Sequence, residues 1–502
     1  MGSEIVRGKI VRRSLVLITI DCLRADHTGL HGYCRPTTPF LDSLRAESLV
    51  FENTIVGGAP TYYSFPAIMA ARHPLALGRD VAGMAPGEPT LTHTLSQAGF
   101  QTAAFLGGNP YLSAKFGYHE GFDVFCDSFG TEVRPLVDPI ENPTVRLRGS
   151  LNRMIERACR TFSPLGAAYD ELYFRYCQSL ARPVTSLDPL RRFPGADAVV
   201  DQACAWLDSV DYRPFFLWLH FMDPHYPYYP LQHGLDLMGS GKTSVVRARY
   251  LNSYWNRGDL SSRRLSKVKD EVIELYDAAI RGVDWQLGRL VESLQARGRW
   301  DDCAIVVTAD HGEEFMEHEE RFHAPTKLME ELIHVPLLLR VPGAPAGRVT
   351  SIFSQLDLAP TLLQSLDAPI PSSFGGKGRW KKLQDRQNWE DVAIVECVST
   401  CTNPFRPENR MGARIVAARD ARFKLVLDFA LSREVLFDLV SDSAELKPVS
   451  PTAEPQVRRR LLEHVREHLQ RSVESRDLSR RIGARLRELR QDPSPKPIGI
   501  PA

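Results

Sequence analysis

The sequence predicts an α/β protein: a large, mostly parallel central sheet flanked by helices, with a small α+β subdomain toward the C-terminal end. Three observations predict it. Short apolar, β-branched runs stop at a polar or glycine residue at 15–20, 101–106, 214–221 and 304–308. Strands buried on both faces read as continuous apolar runs, whereas half-exposed strands alternate. Stretches of helical period fall between the runs, as in 39–51 and 272–298, and such alternation marks a doubly wound sheet. After about residue 345 the pattern changes, and 422–442 reads as two antiparallel strands around a polar turn.

The bulk properties narrow the function classes. The chain has 502 residues, enough for one large domain with an appendage. It carries 62 basic and 61 acidic residues, a net charge of +1, so no global field favours nucleic acid or a polyanion. Nine cysteines are scattered without a CxxC pair, which suits a reducing compartment better than a disulfide scaffold. The only apolar run near the N-terminus, Leu15–Ile20, is too short for a signal core or a membrane span and ends at Asp21. A cytoplasmic protein with no transmembrane segment and no nucleic-acid partner is therefore expected, and its oligomeric state is left open.

Taken in order, residues 14–127 and 200–365 are expected to form the catalytic core, separated by an Arg- and Pro-rich helical insertion or lid at 128–199. Residues 233–246 read as an exposed loop. Their GSGKTS run lacks the first glycine of a phosphate-binding G-x-x-x-x-G-K-[ST] loop, and no strand precedes it. Residues 366–455 are expected to form the C-terminal subdomain with antiparallel strands. In 456–490, Val457, Leu461, Leu462, Val465, Leu469 and Val473 recur at helical spacing among eleven arginines. That pattern predicts an amphipathic helix with a solvated basic face, followed by a tail at 491–502.

In a doubly wound sheet, ligands bind beyond the carboxyl ends of the strands. Asp21, Asn109, Asp223 and Asp310 all stand at such ends, so distant segments are expected to converge. Asp21, Asp310 and His311 supply two carboxylates and an imidazole, a donor set for a divalent metal ion. The turn GGAPT at 57–61 sets Thr61 just ahead of an apolar helix, where it also suits the helix cap. The acidic run Glu313, Glu314, Glu317, Glu319 and Glu320 reads as a solvated helix.

The segments "LVLITIDCLRADHTGLHGY", "TPFLDSLRAESLVFENTIVGGAPT", "ADHGEEFMEHEERFHAPTKLMEELIHVPLLLRVPG" and "SQLDLAPTLL" occur in this order. Together they resemble the sulfatase branch of the alkaline phosphatase superfamily across about residues 14–365, and "VLFDLVSDSAEL" resembles that family's C-terminal strand. The resemblance implies an alkaline-phosphatase-like fold and a metal-bound nucleophile that opens sulfate or phosphate esters. In sulfatases the nucleophile is a Cys or Ser in C/S-x-P-x-R, converted to formylglycine. Here Thr61 takes that place, with Tyr63 where the Pro stands and Phe65 where the Arg stands; formylglycine is not expected.

Phosphoryl-transferring relatives use an unmodified Thr or Ser whose alkoxide a dication stabilises, so Thr61 is expected as both nucleophile and metal ligand. By the same resemblance Ser64 and Asn109 bind substrate oxygens, Asn109 replacing the family's Lys and His. His225 is expected to protonate the leaving group, with His323 near the transferring group. Asp223, His225 and His323 form a possible second metal site, and Arg24 and His27 follow the first ligand. Cys22 stands where the family has a second acid, a lost carboxylate that weakens calcium relative to manganese or zinc. One or two ions (Mn, Zn or Ca) are expected. The reading is a metal-dependent hydrolase or transferase of phosphate esters through a Thr61 intermediate. The alternatives are a sulfuric ester hydrolase without formylglycine and a non-catalytic binding protein on the same scaffold. The substrate is a small-molecule, glycan-linked or lipid-linked phosphate or sulfate ester.

Overall fold

Burial on both faces turns the continuous apolar runs into the strands at the middle of a sheet. The computed structural model describes residues 13–128, 163–180, 184–239, 243–324 and 327–472. The first strands are β1 (Ser14–Ile20), β2 (Leu49–Ile55), β3 (Gln101–Leu106), β4 (Val124–Cys126), β5 (Phe215–Phe221) and β6 (Cys303–Ala309). There follow β7 (Glu314–Phe315), β8 (Arg321–Phe322), β9 (His334–Arg340), β10 (Gly347–Val349) and β11 (Phe353–Ser354). The last four are β12 (Ala393–Val398), β13 (Arg414–Arg419), β14 (Phe423–Asp428) and β15 (Arg433–Asp438).

The central sheet runs β10-β2-β9-β6-β1-β5-β3-β4, with β11 also on β2. β1 lies in the middle, parallel to both β5 and β6, and every residue of these three strands is buried. Alternate residues of β1 feed opposite cores. Val16, Ile18 and Ile20 pack with the helices Ala196–Leu207 and Lys269–Ala296. Leu15 and Leu17 pack with Thr61–Ala70, Leu91–Gln97 and Leu358–Ser365. Each such aliphatic side chain contributes about 1.5–3 kcal/mol of transfer free energy.

Three expectations change. The helical period over 39–51 breaks before Leu49: the α-helix Pro39–Ser43 runs on as a 3-10 helix over Leu44–Glu47, and Leu49–Ile55 is β2, antiparallel to β9. Its β-branched Val50, Thr54 and Ile55 suit a strand covered on both faces. The stretch 233–246 is not a simple loop, because it contributes to the helices Gln232–Leu237 and Val245–Trp255. Gly234 permits the first of these, since a Cβ there would stand 2.2 Å from the Ala278 carbonyl oxygen. The core resumes before residue 200, with the helix that begins at Ala196 and packs under β3 and β5.

Within the insertion, Ser163–Leu180 is helical. Phe174 sets its edge against Tyr250 and Tyr254, and Glu171 accepts from Arg257 and Arg264. The expected helical piece at 150–162 lies outside the described residues. No helix among the described residues is long and apolar enough to cross a membrane.

β12 to β15 form a separate antiparallel meander. Residues 455–472 are helical, and Leu461 and Val465 cover Ile394, Val416, Leu425 and Leu436 of that sheet. The expected apolar stripe is thus a packing face. Residues 473–502, the rest of the expected helix and the tail, lie outside the described residues.

Glu396 of β12 ties three parts of the chain together. Its Oε1 accepts from the Leu75 amide at 2.9 Å, and its Oε2 lies 2.9 Å from His468 Nε2. Burial alone would push this carboxyl up, but the His468 hydrogen bond and charge hold it at about 2 against an ordinary 4.5. A carboxyl depressed in the fold contributes stability that is complete above its ordinary pKa and lost as pH falls toward the folded one. Replacing His468 with phenylalanine is expected to cost about 2 kcal/mol by leaving a buried charge short of its partner. Urea unfolding at neutral pH checks this, and the difference from wild type should shrink between pH 4.5 and 2.

Candidate active site

The carboxyl ends of β1, β3, β5 and β6 meet on one side of the sheet, and the chain reverses there through short polar turns. Asp21 follows β1, Asn109 follows β3, His225 follows β5, and Asp310 and His311 follow β6. Thr61 opens the ten-residue helix Thr61–Ala70, with Pro60 rather than Thr61 in the cap position. Its hydroxyl stands at the positive end of the helix dipole.

His311 is oriented by its own backbone turn. Nδ1 donates to the Gly312 carbonyl at 2.8 Å, which leaves the Nε2 lone pair facing the site. Nε2 lies 3.2 Å from Thr61 Oγ1, 3.5 Å from Asp310 Oδ2 and 3.8 Å from Asp21 Oδ1. Asn109 Nδ2 donates to Asp21 Oδ2 at 2.8 Å and reaches Thr61 Oγ1 at 3.5 Å. Asp310 Oδ1 accepts from the amides of His311 and Cys22. Asp310 Oδ2 is buried and makes no hydrogen bond among the described residues.

Such an orphaned anionic oxygen, facing a second carboxylate and a bare imidazole nitrogen, fits a dication. One donor atom from each of Asp21, Asp310 and His311 lies within 4.8 Å of the others, and all three residues are buried. The local electrostatics agree. Burial pushes Asp21 up, but His225, His220 and His311 together hold it well below the ordinary carboxylate range. Burial and the charge of Asp21 push Asp310 up, as expected of two carboxylates close together in a low-dielectric space.

Toward the mouth stand two partly exposed histidines, with ring centroids 5.0 Å apart. His225 Nδ1 donates to the Tyr226 carbonyl at 2.5 Å, and burial lowers its pKa. His323 Nδ1 lies 3.2 Å from Glu313 Oε2, and although burial lowers it, Glu313 raises its pKa overall. Glu313 itself is buried and kept ionised: burial pushes it up, and the charge and hydrogen bond of His323 bring it down.

Several expected roles move. Ser64 donates to the Thr61 carbonyl at 3.1 Å and is fully buried, so it supports the turn and does not face a substrate. Phe65 packs against Trp218 and His220, away from where an arginine would clamp an anion. Asp223 does not join His225 and His323. Its Oδ1 accepts from the Ala196 amide at 3.1 Å, and burial raises its pKa to about 6. Arg24 pairs with Asp26 and Glu317, and His27 pairs with Asp277. The acidic run is no solvated helix: Glu313 and Glu314 are buried, and Glu314 begins β7.

Three site residues carried no sequence signal of this role. His220 lies inside an apolar strand, with Nε2 at 3.3 Å from Asp21 Oδ2. Glu313 hides in a charged run. Cys22, read as a lost ligand, turns its Sγ inward to donate to Asp21 Oδ1 at 3.0 Å.

Comparison with known proteins bears on the family and the fold. The sulfatase family model matches residues 13–368, and the model of the N-sulphoglucosamine sulphohydrolase C-terminal region matches residues 318–474. A multifunctional alkaline phosphatase superfamily protein, PehA, from Trinickia caryophylli is 24% identical over 288 residues, which cover 51% of this chain and 55% of that protein. The chain thus spans about half the length of that relative. Two solved structures share the fold. BT4656, in complex with D-glucosamine-2-N,6-O-disulfate, is 18% identical with a TM-score of 0.67, covering 92% of this chain and 98% of that one. The phosphonate monoester hydrolase of Agrobacterium radiobacter is 19% identical with a TM-score of 0.61, covering 92% and 96%.

Proposed function

Because the chain belongs to the sulfatase family yet carries threonine at the nucleophile position, we propose that it is a metal-dependent ester hydrolase favouring phosphate over sulfate esters through a covalent Thr61 intermediate. The observation that carries this reading is the contact of Thr61 Oγ1 with His311 Nε2 at 3.2 Å, beside Asp21 and Asp310.

Asp21, Asp310 and His311 would hold a divalent ion, which when bound supplies the positive charge that makes a threonine hydroxyl nucleophilic near neutral pH. Thr61, its hydroxyl proton passed to solvent, attacks phosphorus in line as the bond to the leaving oxygen breaks. Asn109 Nδ2 donates to a non-bridging oxygen, a role open to it because it already reaches Thr61 Oγ1. The leaving oxygen takes its proton from His323 rather than His225. Glu313 raises the pKa of His323 against its burial, whereas burial lowers that of His225 despite the opposing pull of Asp21 and the bond to Tyr226. Water, entering opposite the phosphothreonine oxygen, gives a proton to the now neutral His323 and forms the new bond to phosphorus as the bond to Thr61 Oγ1 breaks, which restores both groups. A sulfate ester on threonine would lack the hemiacetal that lets formylglycine expel sulfate, so turnover of sulfate esters stalls at that stage.

The test compares an aryl phosphodiester, an aryl phosphomonoester and the matching aryl sulfate on metal-replete protein. The better phosphate ester is expected to exceed the sulfate in kcat/KM by at least about 100-fold, a barrier difference of about 2.7 kcal/mol. A sulfate ester turned over faster than both would overturn the phosphate preference.

A further inference from the structure

Cys22 occupies the one position in the floor of the site where sequence comparison suggests a lost ligand, and the structure turns its side chain toward Asp21 and three histidines. Its Sγ lies within 4.8 Å of donor atoms on His311 and His323, and equally of donor atoms on Asp21 and His225. It donates to Asp21 Oδ1 at 3.0 Å and lies 3.5 Å from His323 Nδ1. The backbone fixes this direction. Cys22 adopts φ +61°, a left-handed conformation uncommon for a non-glycine residue. It is held there by its amide on Asp310 Oδ1 and its carbonyl under the Tyr276 hydroxyl.

We propose that Cys22 is a metal ligand, and that its sulfur makes this pocket select a thiophilic, borderline-soft dication of the zinc or cobalt type over manganese, magnesium or calcium. The proposal rests on the reading of Asp21, Asp310 and His311 as a cation site. The donors within reach of Sγ are one hard carboxylate, Asp21, and the softer imidazoles of His225, His311 and His323, while Asp310 joins through its own cluster with Asp21 and His311. Sulfur–nitrogen separations around tetrahedral zinc are about 3.5 Å, from bonds of about 2.3 and 2.0–2.1 Å, so donors within 4.8 Å close on an ion with small rotamer adjustments. As the sulfur–metal bond forms, the Cys22 thiol releases its proton to solvent, because a coordinating thiol is deprotonated by the ion itself. Thiolate and imidazole favour zinc, and carboxylate oxygens alone favour calcium, magnesium and manganese. His323, already bound to Glu313, remains the proton donor.

Cobalt(II) loading tests this without turnover. Wild type is expected to show a near-ultraviolet sulfur-to-cobalt charge-transfer band together with visible ligand-field bands. Cys22→Ser is expected to lose the first and keep the second, and to bind zinc about 10- to 100-fold more weakly with manganese affinity little changed. Ligand-field bands without the charge-transfer band in wild type would overturn the sulfur ligand while leaving the cation site standing. Absence of both, with no stoichiometric dication by elemental analysis, would overturn the site itself. Should Cys22→Ser fail to fold, cadmium NMR of the loaded wild type decides the matter, since a sulfur ligand moves the resonance downfield and its absence from that region refutes the proposal.

Discussion

Replacing Thr61 with valine is expected to lower kcat toward an aryl phosphodiester by at least about 10³-fold while leaving the fold and the bound dication in place. The substitution keeps the β-branched shape of a residue only 3 % exposed at the start of its helix and removes one hydroxyl. His311 Nε2 keeps Asp21 and Asp310 within 3.8 Å, so the donor set for the ion survives. What disappears is the hydroxyl that the proposed mechanism bonds to phosphorus. Removing a nucleophile from a covalent mechanism costs orders of magnitude in kcat, with residual activity left to binding and charge stabilisation. Thr61→Ser restores the hydroxyl and is expected to recover most of the loss. Single-turnover kinetics and elemental analysis on the same preparations separate the outcomes. Activity within tenfold of wild type in Thr61→Val, with the dication retained, would make the intermediate untenable and leave direct attack by water.

The sheet and the floor of the site were legible because burial writes a simple pattern. Asp21 and Asp310 each end a run of apolar residues that is buried throughout, and a charged group at the end of a buried parallel strand has few places to point except the ligand crevice. The antiparallel β2–β9 pair was harder, because the residues after Pro39 keep a helical period until the chain turns at Ser48. Tertiary pairing then overrides the local preference.

Glu313 shows a different failure. Five acids within eight residues look solvated, and only the geometry of Gly312 turns the first of them inward. A Cβ at that glycine would stand 1.9 Å from the Glu331 carbonyl oxygen, so the chain passes close under a neighbouring segment and delivers Glu313 to His323. Ser64 and Asp223 failed in the opposite direction. Both sit beside the site in sequence, yet Ser64 donates to the Thr61 carbonyl and Asp223 turns Oδ1 to the Ala196 amide, away from His225 and His323. Proximity in sequence showed which residues were near the site, and hydrogen-bond competition decided which faced it.

Asp310→Asn is expected to move metal binding and intrinsic stability in opposite directions. In the metal-free protein, burial and the negative charge of Asp21 both raise the Asp310 carboxyl, so the floor of the site stores repulsion between two acids in a low-dielectric space. Asparagine has the same shape. Its oxygen can still accept from the His311 amide at 2.9 Å and the Cys22 amide at 3.3 Å, and it removes the repulsion. The metal-free variant is therefore expected to be more stable than wild type by about 1 kcal/mol. With a dication at a hundredfold excess over its dissociation constant, wild type gains about 2.7 kcal/mol by mass action. The variant, short of one ligand charge, gains little at the same concentration, and its hydrolytic rate falls by about 10²–10³-fold, the scale of removing one group that stabilises developing charge. Thermal melts with chelator and with zinc, beside kcat/KM on the same samples, read both signs. On the proposed reading the floor of the site is strained without a cation, so Asp310→Asn melting like wild type under both conditions would mean that these carboxylates are structural and hold no ion.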